Sequence, residues 1–267
     1  MDNSTTQEMG EYIFKVLPFE VDFRSKLKLP NLVNYILNCA GYHADFCHYG
    51  LSDLQKHDYS WVLIRVAIEM DRYPKMYEKV HVQTWVEGFI KIFSKRNYAF
   101  WDADGKILGY ARTIWAVIDN KTRKAVNISE ILDKQAILEK DCPIDRIRNI
   151  PAISESDVAK EQFTVKYSDI DMNQHLNSSK YVEHILDAFT LHKFVHRDIE
   201  RFEIDYMAES LFNETISLHK EEMPDNKFII ELRNKDGNVI CKSRVIFSQK
   251  NQNDEYRAGC NDAQTTK

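Results

Sequence analysis

Two stretches of the chain, DGKILGYARTIWAV (104–117) and DGNVICKSRVIFSQ (236–249), agree at Asp-Gly, then Arg, then Ile. Asp104 matches Asp236, Gly105 matches Gly237, Arg112 matches Arg244 and Ile114 matches Ile246, all at an offset of 132 residues. Asp-Gly between alternating apolar runs is a hairpin signal, so each half is expected to carry a long hairpin. Upstream, NLVNYIL (31–37) agrees with NSSKYVE (177–183) through Asn31/Asn177 and Tyr35/Tyr181, at an offset of 146. Two matches in the same order point to a duplicated unit. Duplication is a strong constraint, because whatever one half builds the other must build too.

The unit reads as strand, helix, then several strands. Residues 12–24 look extended, and PNLVNYILNCAGYHADF reads as a buried helix with Pro30 in its first turn. Strand-like runs follow at 60–70, 79–89, 96–103 and 107–119. The second half repeats the pattern with a strand at 161–169 and a helix stripe of Val182, Ile185, Leu186 and Phe189. Its later strands are expected at 201–207, 214–221, 227–234 and 238–248. One long helix against an antiparallel sheet, twice, is an α+β architecture. The expected organisation is an N-terminal unit (10–126), a linker (127–158), a C-terminal unit (159–250) and a loose tail (251–267). In the linker, Asn127 and Glu130 fit a capping box for a helix over 127–141.

The stretch YSDIDMNQHLNSSKY (167–181) sets Asp169, Asp171, Asn173, His175 and Asn177 at alternate positions before the second helix. At the offset of 146, Asp171, Asn173 and His175 fall on Ser25, Leu27 and Leu29. The polar set then belongs to the second copy alone, which favours chemistry over a structural requirement of the turn. The competing reading is that Asp171 and Asn177 cap a helix and the rest is solvated loop. A calcium loop is excluded, since Gln174 and Lys180 stand where Gly and Glu are needed. The chain has no H-E-x-x-H, no G-x-G-x-x-G, no phosphate loop and no G-x-S-x-G elbow. A net charge of −5 argues against nucleic acid as a partner, and no apolar run reaches the roughly 20 residues of a membrane span. The start is neither a signal nor a transit peptide. Five scattered cysteines without a C-x-x-C pair suit reduced thiols in the cytoplasm.

The motif D-x-D-x-N-x-H-x-N-x-x-x-Y before a helix resembles the acyl-ACP thioesterases of the hot-dog superfamily, ACP being acyl carrier protein. IEMDRYP (68–74), VQTWVEG (82–88) and TIWAVIDNKTRKAVNI (113–128) look like stretches of that family's first unit, so the resemblance spans most of the chain. It implies a tandem (double) hot-dog with two antiparallel sheets, each wrapped around a long helix, and hydrolysis of fatty acyl-ACP without a cofactor or metal. In DYMAES (205–210), Glu209 matches the family's glutamate, while Ser210 stands where the plant enzymes have a cysteine.

The expected catalytic set is therefore Asp171, Asn173, His175 and Glu209. Glu209 and His175 would hold and deprotonate a water, and Asn173 would orient it or the substrate carbonyl. Asp171 would fix the set through hydrogen bonds, with direct action as base or nucleophile as the alternative. A backbone N–H near 176–178 would polarise the carbonyl. Asp169 would be secondary, and Asn177 a helix cap shared with Asn31. Leu32, Ile36, Cys39 and the tryptophans Trp61, Trp85, Trp101 and Trp115 are candidates for an acyl slot, with plain core as the commoner fate. Lys95 and Arg96, with Lys121 and Arg123, are candidates for docking acyl carrier protein, against the plainer reading of solvated faces. A homodimer is compatible with the sequence. The rivals are a hot-dog acyl-CoA thioesterase, a dehydratase and a non-catalytic acyl-binding protein.

Overall fold

The computed structural model describes residues 9–130, 137–138, 140–146, 149–153 and 159–249. Six strands and helices of the first half are β1 (Met9–Lys15), α1 (Leu29–Phe46), α2 (Leu51–Gln55), β2 (Tyr59–Met70), β3 (Lys79–Ile90) and β4 (Phe93–Trp101), closed by β5 (Ile107–Asp119). The second half runs β6 (Glu161–Thr164), α3 (Ser178–Asp187), α4 (Leu191–His196), β7 (Ile199–Tyr206), β8 (Thr215–Met223), β9 (Lys227–Arg233) and β10 (Val239–Phe247). The first extended runs are shorter than expected. Both end in a 3-10 turn, at Pro18–Glu20 and Tyr167–Asp169.

Among the described residues the strands form one antiparallel sheet in the order β1-β3-β4-β5-β2-β7-β10-β9-β8-β6. Each half has the same internal order, and the halves meet at the equivalent strands β2 and β7. There Arg65 pairs with Asp205 and Glu69 with Arg201. The expectation of two separate sheets is thus corrected to one continuous sheet. An unpaired edge exposes a row of backbone donors and acceptors, and pairing β2 with β7 satisfies both inner edges at once. Both helices share one core: Leu32, Val33 and Ile36 of α1, and Tyr181, Val182 and Ile185 of α3, pack with Val66, Ile68, Phe202 and Ile204.

The opposite face of the sheet is covered by the linker. Trp85 donates to the Lys140 carbonyl (2.9 Å), Arg112 to that of Cys142 (2.8 Å) and Arg244 to that of Asn149 (3.0 Å). The helix expected over 127–141 lies partly outside the described residues. Within them Ile128–Glu130 is a 3-10 turn, and Ile137 is extended, bridging Val86 in parallel. The tail beyond 249 lies outside the described residues.

Both Asp-Gly hairpins form, with Gly105 at φ 78° and Gly237 at φ 80°, where a side chain would be strained. The helix register differs from the sequence alignment. Asp22 N–H donates to the Lys26 carbonyl as Asp171 N–H does to that of His175, and Ser25 and Gln174 share φ near +60°. The strand-to-helix turns therefore align at an offset of 149, not 146, and Asp171, Asn173 and His175 correspond to Asp22, Arg24 and Lys26. Asn177 caps α3, its Oδ1 accepting from Ser179 N–H (2.9 Å), whereas Asn31 lies inside α1 and donates to the Glu20 carbonyl (2.8 Å). Hydrophobic packing of the helices, not the Asn and Tyr matches, sets the register.

Candidate active site

A tight turn carries the polar motif. Asp171 Oδ1 accepts the N–H of Asn173 (2.8 Å) and of His175 (3.2 Å). In the first copy Asp22 Oδ1 accepts the N–H of Arg24 (2.8 Å) and of Lys26 (3.1 Å). The turn needs its aspartate in both halves, so the acid is shared. What differs is the cargo: Asn173 and His175 in one half, Arg24 and Lys26 in the other. The latter two share Asp198, at 2.8 and 2.9 Å, and Arg24 also pairs with Asp22 at 3.0 Å, so two carboxylates offset the two cations.

His175 Nε2 lies 3.4 Å from Glu209 Oε2, and Glu209 Oε1 takes an ion pair from Arg123 Nη2 at 2.5 Å. Arg123 comes from the turn after β5, so the two halves build this cluster jointly. Tyr73 stands near the matching place in the first copy, lining the cavity beside Arg24. Around the pair is a cavity of about 380 Å³ whose walls include Trp61, Asp171, Asn173, His175, Tyr206 and Glu209. A smaller cavity of about 180 Å³ adjoins it, lined by Leu37, Ala40, Gly41 and Ala44 of α1 and by Trp115 and Arg96. Trp61 and Asn173 border both.

The remaining expected residues fall in other places. Asp169 is buried, accepts the Lys166 N–H (2.8 Å) and has its counterpart in Glu20, which does the same for Leu17 (2.7 Å). Leu32 and Ile36 are core residues on another face of α1, absent from the walls of either cavity. Trp85 lies under the linker with Ala67, Ala99 and Cys142, on the far side of the sheet, and Trp101 packs against that group. Arg96 is buried and cannot meet a partner protein, so its docking role is corrected. Its strand neighbour Lys95 is half-buried, and Lys121 is exposed and paired with Asp58 at 2.5 Å. The amides of Leu176 and Asn177 are engaged by the carbonyls of Ser210 (2.8 Å) and Asp169 (2.8 Å). That leaves Ser178, which lines the larger cavity, as the helix-start residue nearest the expected oxyanion role.

Ser210 is fully buried and accepts from the Tyr181 hydroxyl at 3.3 Å, facing the core. None of the described cysteines lines either cavity. Burial pushes the Cys39 thiol up to about 12 and the Cys241 thiol well above the ordinary value. Such thiols are poor nucleophiles. No group of three or more His, Cys, Asp or Glu among the described residues is arranged to hold a metal.

Family models for the acyl-ACP thioesterase N-terminal and C-terminal domains match residues 9–135 and 153–249. This chain belongs to the acyl-ACP thioesterase family. The crystal structure of an acyl-ACP thioesterase from Bacteroides thetaiotaomicron is similar at a TM-score of 0.87 and 42% identity, covering 92% of this chain and 100% of that one. The 12:0-ACP thioesterase from Umbellularia californica shares the fold at a TM-score of 0.81 and 18% identity, over 91% of this chain and 98% of that one. A chloroplastic acyl-[acyl-carrier-protein] hydrolase of Cuphea viscosissima is 25% identical over 263 residues, 89% of this chain; the matched region spans 62% of that relative's length. Within this acyl-ACP thioesterase fold, sequence reasoning missed the cavity-lining face of α1. The signal was the first unit's greater length: α1 has 18 residues against 10 in α3.

Proposed function

We propose that the protein hydrolyses fatty acyl-ACP thioesters to free fatty acid and holo-ACP. The observation that carries this reading is the His175–Glu209 pair beside an apolar cavity, with Asn173 on the border of both spaces. Glu209 and His175 hold a water between them and Glu209 takes its proton. The water oxygen bonds to the thioester carbon while Asn173 orients the carbonyl. The C–S bond then breaks, and the departing thiolate takes the proton back as the phosphopantetheine thiol. The turn that presents Asn173 and His175 is held by Asp171, in the manner of Asp22. A water nucleophile also fits the burial of Ser210 and of the thiols.

In this reading the sheet is two fused hot-dog units, residues 10–126 and 159–250, separated by the linker 127–158. The mouth of the site carries Arg123, with Lys121 and Lys124 in the same turn, and this basic turn suits an acidic acyl carrier protein. Nucleic acid is not a partner in this reading, and no helix among the described residues is long and apolar enough to cross a membrane. A cytoplasmic setting suits the four free cysteines among the described residues. Sedimentation would show whether a homodimer forms. The test is thioester release from matched acyl-ACP and acyl-CoA panels by wild type, Asn173→Ala, His175→Ala and Glu209→Gln. The expected result is release from acyl-ACP that falls in all three variants. Full activity in all three would overturn the site, and preference for acyl-CoA would move the substrate class.

A further inference from the structure

The smaller cavity is apolar along α1 but ends on a charge. Arg96 is 4% exposed, and its guanidinium donates to Thr84 Oγ1 (3.2 Å) and the Tyr49 hydroxyl (3.4 Å), with His43 Nδ1 at 2.8 Å. Thr84 and Tyr49 are neutral, and among the described residues no carboxylate forms an ion pair with Arg96. Arginine keeps its charge at any ordinary pH, and a buried cation without an anion is costly. The fold does not require one here. Arg96 pairs with Thr113 on β5, and the matching pair in the second half is Phe228 with Val245. Phe228 packs edge-on against Phe189 and Phe247. An apolar ring thus serves this position in one copy and a guanidinium in the other.

The wall that faces Arg96 is also particular to the first copy. Ala40, Gly41 and Ala44 lie in the part of α1 that extends beyond the length of α3. Small residues there leave room: a Cβ on Gly41 would meet nothing within 4 Å. Asn173 of the catalytic turn and Trp61 of β2 line the part shared with the larger cavity, whereas Arg96 lies on β4, two strands away across β5. A chain whose thioester lies at Asn173 therefore points its far end toward Arg96.

We propose that this cavity selects acyl groups bearing an oxygen at the end remote from the thioester, a hydroxyl, keto or carboxylate oxygen, and that Arg96 is the residue that reads it. The inference rests on the thioesterase reading for its orientation. Direct binding tests it apart from catalysis. A length series of monocarboxylic, ω-hydroxy and α,ω-dicarboxylic acids, each with one carboxyl masked as its pantetheine amide so that only the far end differs, is titrated by calorimetry into wild type, Arg96→Met and Arg96→Lys, each checked for native circular dichroism. Matched thioesters on acyl carrier protein are then compared by kcat/KM. A site built to hydrogen-bond a substrate oxygen discriminates strongly against the analogue lacking it. The expected result is a preference of roughly tenfold or more for the oxygenated chain of one length, reversed in Arg96→Met and partly kept in Arg96→Lys. Methyl-ended chains favoured at every length, or a preference that Arg96→Met leaves unchanged, would overturn the inference. Arg96-dependent binding of oxygenated chains without hydrolysis of any thioester would uphold it and sink the proposed reaction instead.

Discussion

The role of Asp171 is open to a sharp test because the fold supplies its own control. In both halves one carboxylate oxygen accepts two backbone N–H groups, at 2.8 and 3.2 Å for Asp171 and at 2.8 and 3.1 Å for Asp22. Hydrogen bonds to charged groups contribute about 1.5–3 kcal/mol each. The turn is only partly buried, so the lower figure applies, and Asp171→Ala costs about 3 kcal/mol. Charge-assisted bonds are roughly twice as strong as neutral ones, so Asp171→Asn, whose amide oxygen accepts both N–H groups, costs about half of that. An energy of about 1.4 kcal/mol is a factor of ten. If the carboxylate only orders the turn, Asp171→Asn lowers kcat by no more than roughly tenfold. Asp22→Ala, which also loses the Arg24 ion pair at 3.0 Å, then costs at least as much as Asp171→Ala in urea denaturation yet leaves kcat per folded molecule near wild type. Stopped-flow release of free thiol from acyl-ACP, beside urea unfolding of each variant, measures both quantities. A loss of about a thousandfold or more in Asp171→Asn, with unchanged stability, would refute the framing role and make Asp171 a participant in the chemistry.

Further outcomes follow from other parts of the molecule. Glu209→Gln lowers kcat by about 10²–10⁴ while shifting KM little, seen in steady-state kinetics on acyl-ACP. Arg123→Ala frees Glu209 and removes a cation from the mouth, so KM for acyl-ACP rises while KM for a pantetheine-only thioester stays level; equal rises would remove the docking role. Asp198→Ala removes the carboxylate that Arg24 and Lys26 share, leaving Arg24 paired with Asp22 alone, and costs about 1.5–3 kcal/mol with little loss of activity per folded molecule, read by thermal unfolding. Burial lifts the Cys39 thiol from 9.0 to about 12, so the folded chain keeps a proton there that the unfolded chain releases. That contribution is fully present below pH 9, is lost as the pH rises toward 12, and is abolished in Cys39→Ala, as alkaline unfolding curves would show.

The sequence by itself determined the duplication, the strand order of events and the identity of the polar motif. Those are local matters: Asp-Gly sets a hairpin, alternation sets a strand, and a strand-to-helix turn needs its capping groups within a few residues. Register was not local. Asn31 and Tyr35 aligned with Asn177 and Tyr181 by identity, yet the turns align three residues away, because helix packing against the sheet decides which residues are equivalent. The corrected register gives the first turn its own aspartate, so the contrast between the halves lies in Arg24 and Lys26 against Asn173 and His175. Trp85 and Trp61 were alike as sequence; the pleat put one beneath the linker and the other on the cavity wall. Arg96 read as a surface charge in KIFSKR, since a charge run is usually solvated, and its burial depends on strands and a helix that are remote in sequence. The pairing of β2 with β7, and with it the meeting of Arg123, His175 and Glu209, required two distant halves to dock, which only the tertiary structure decided.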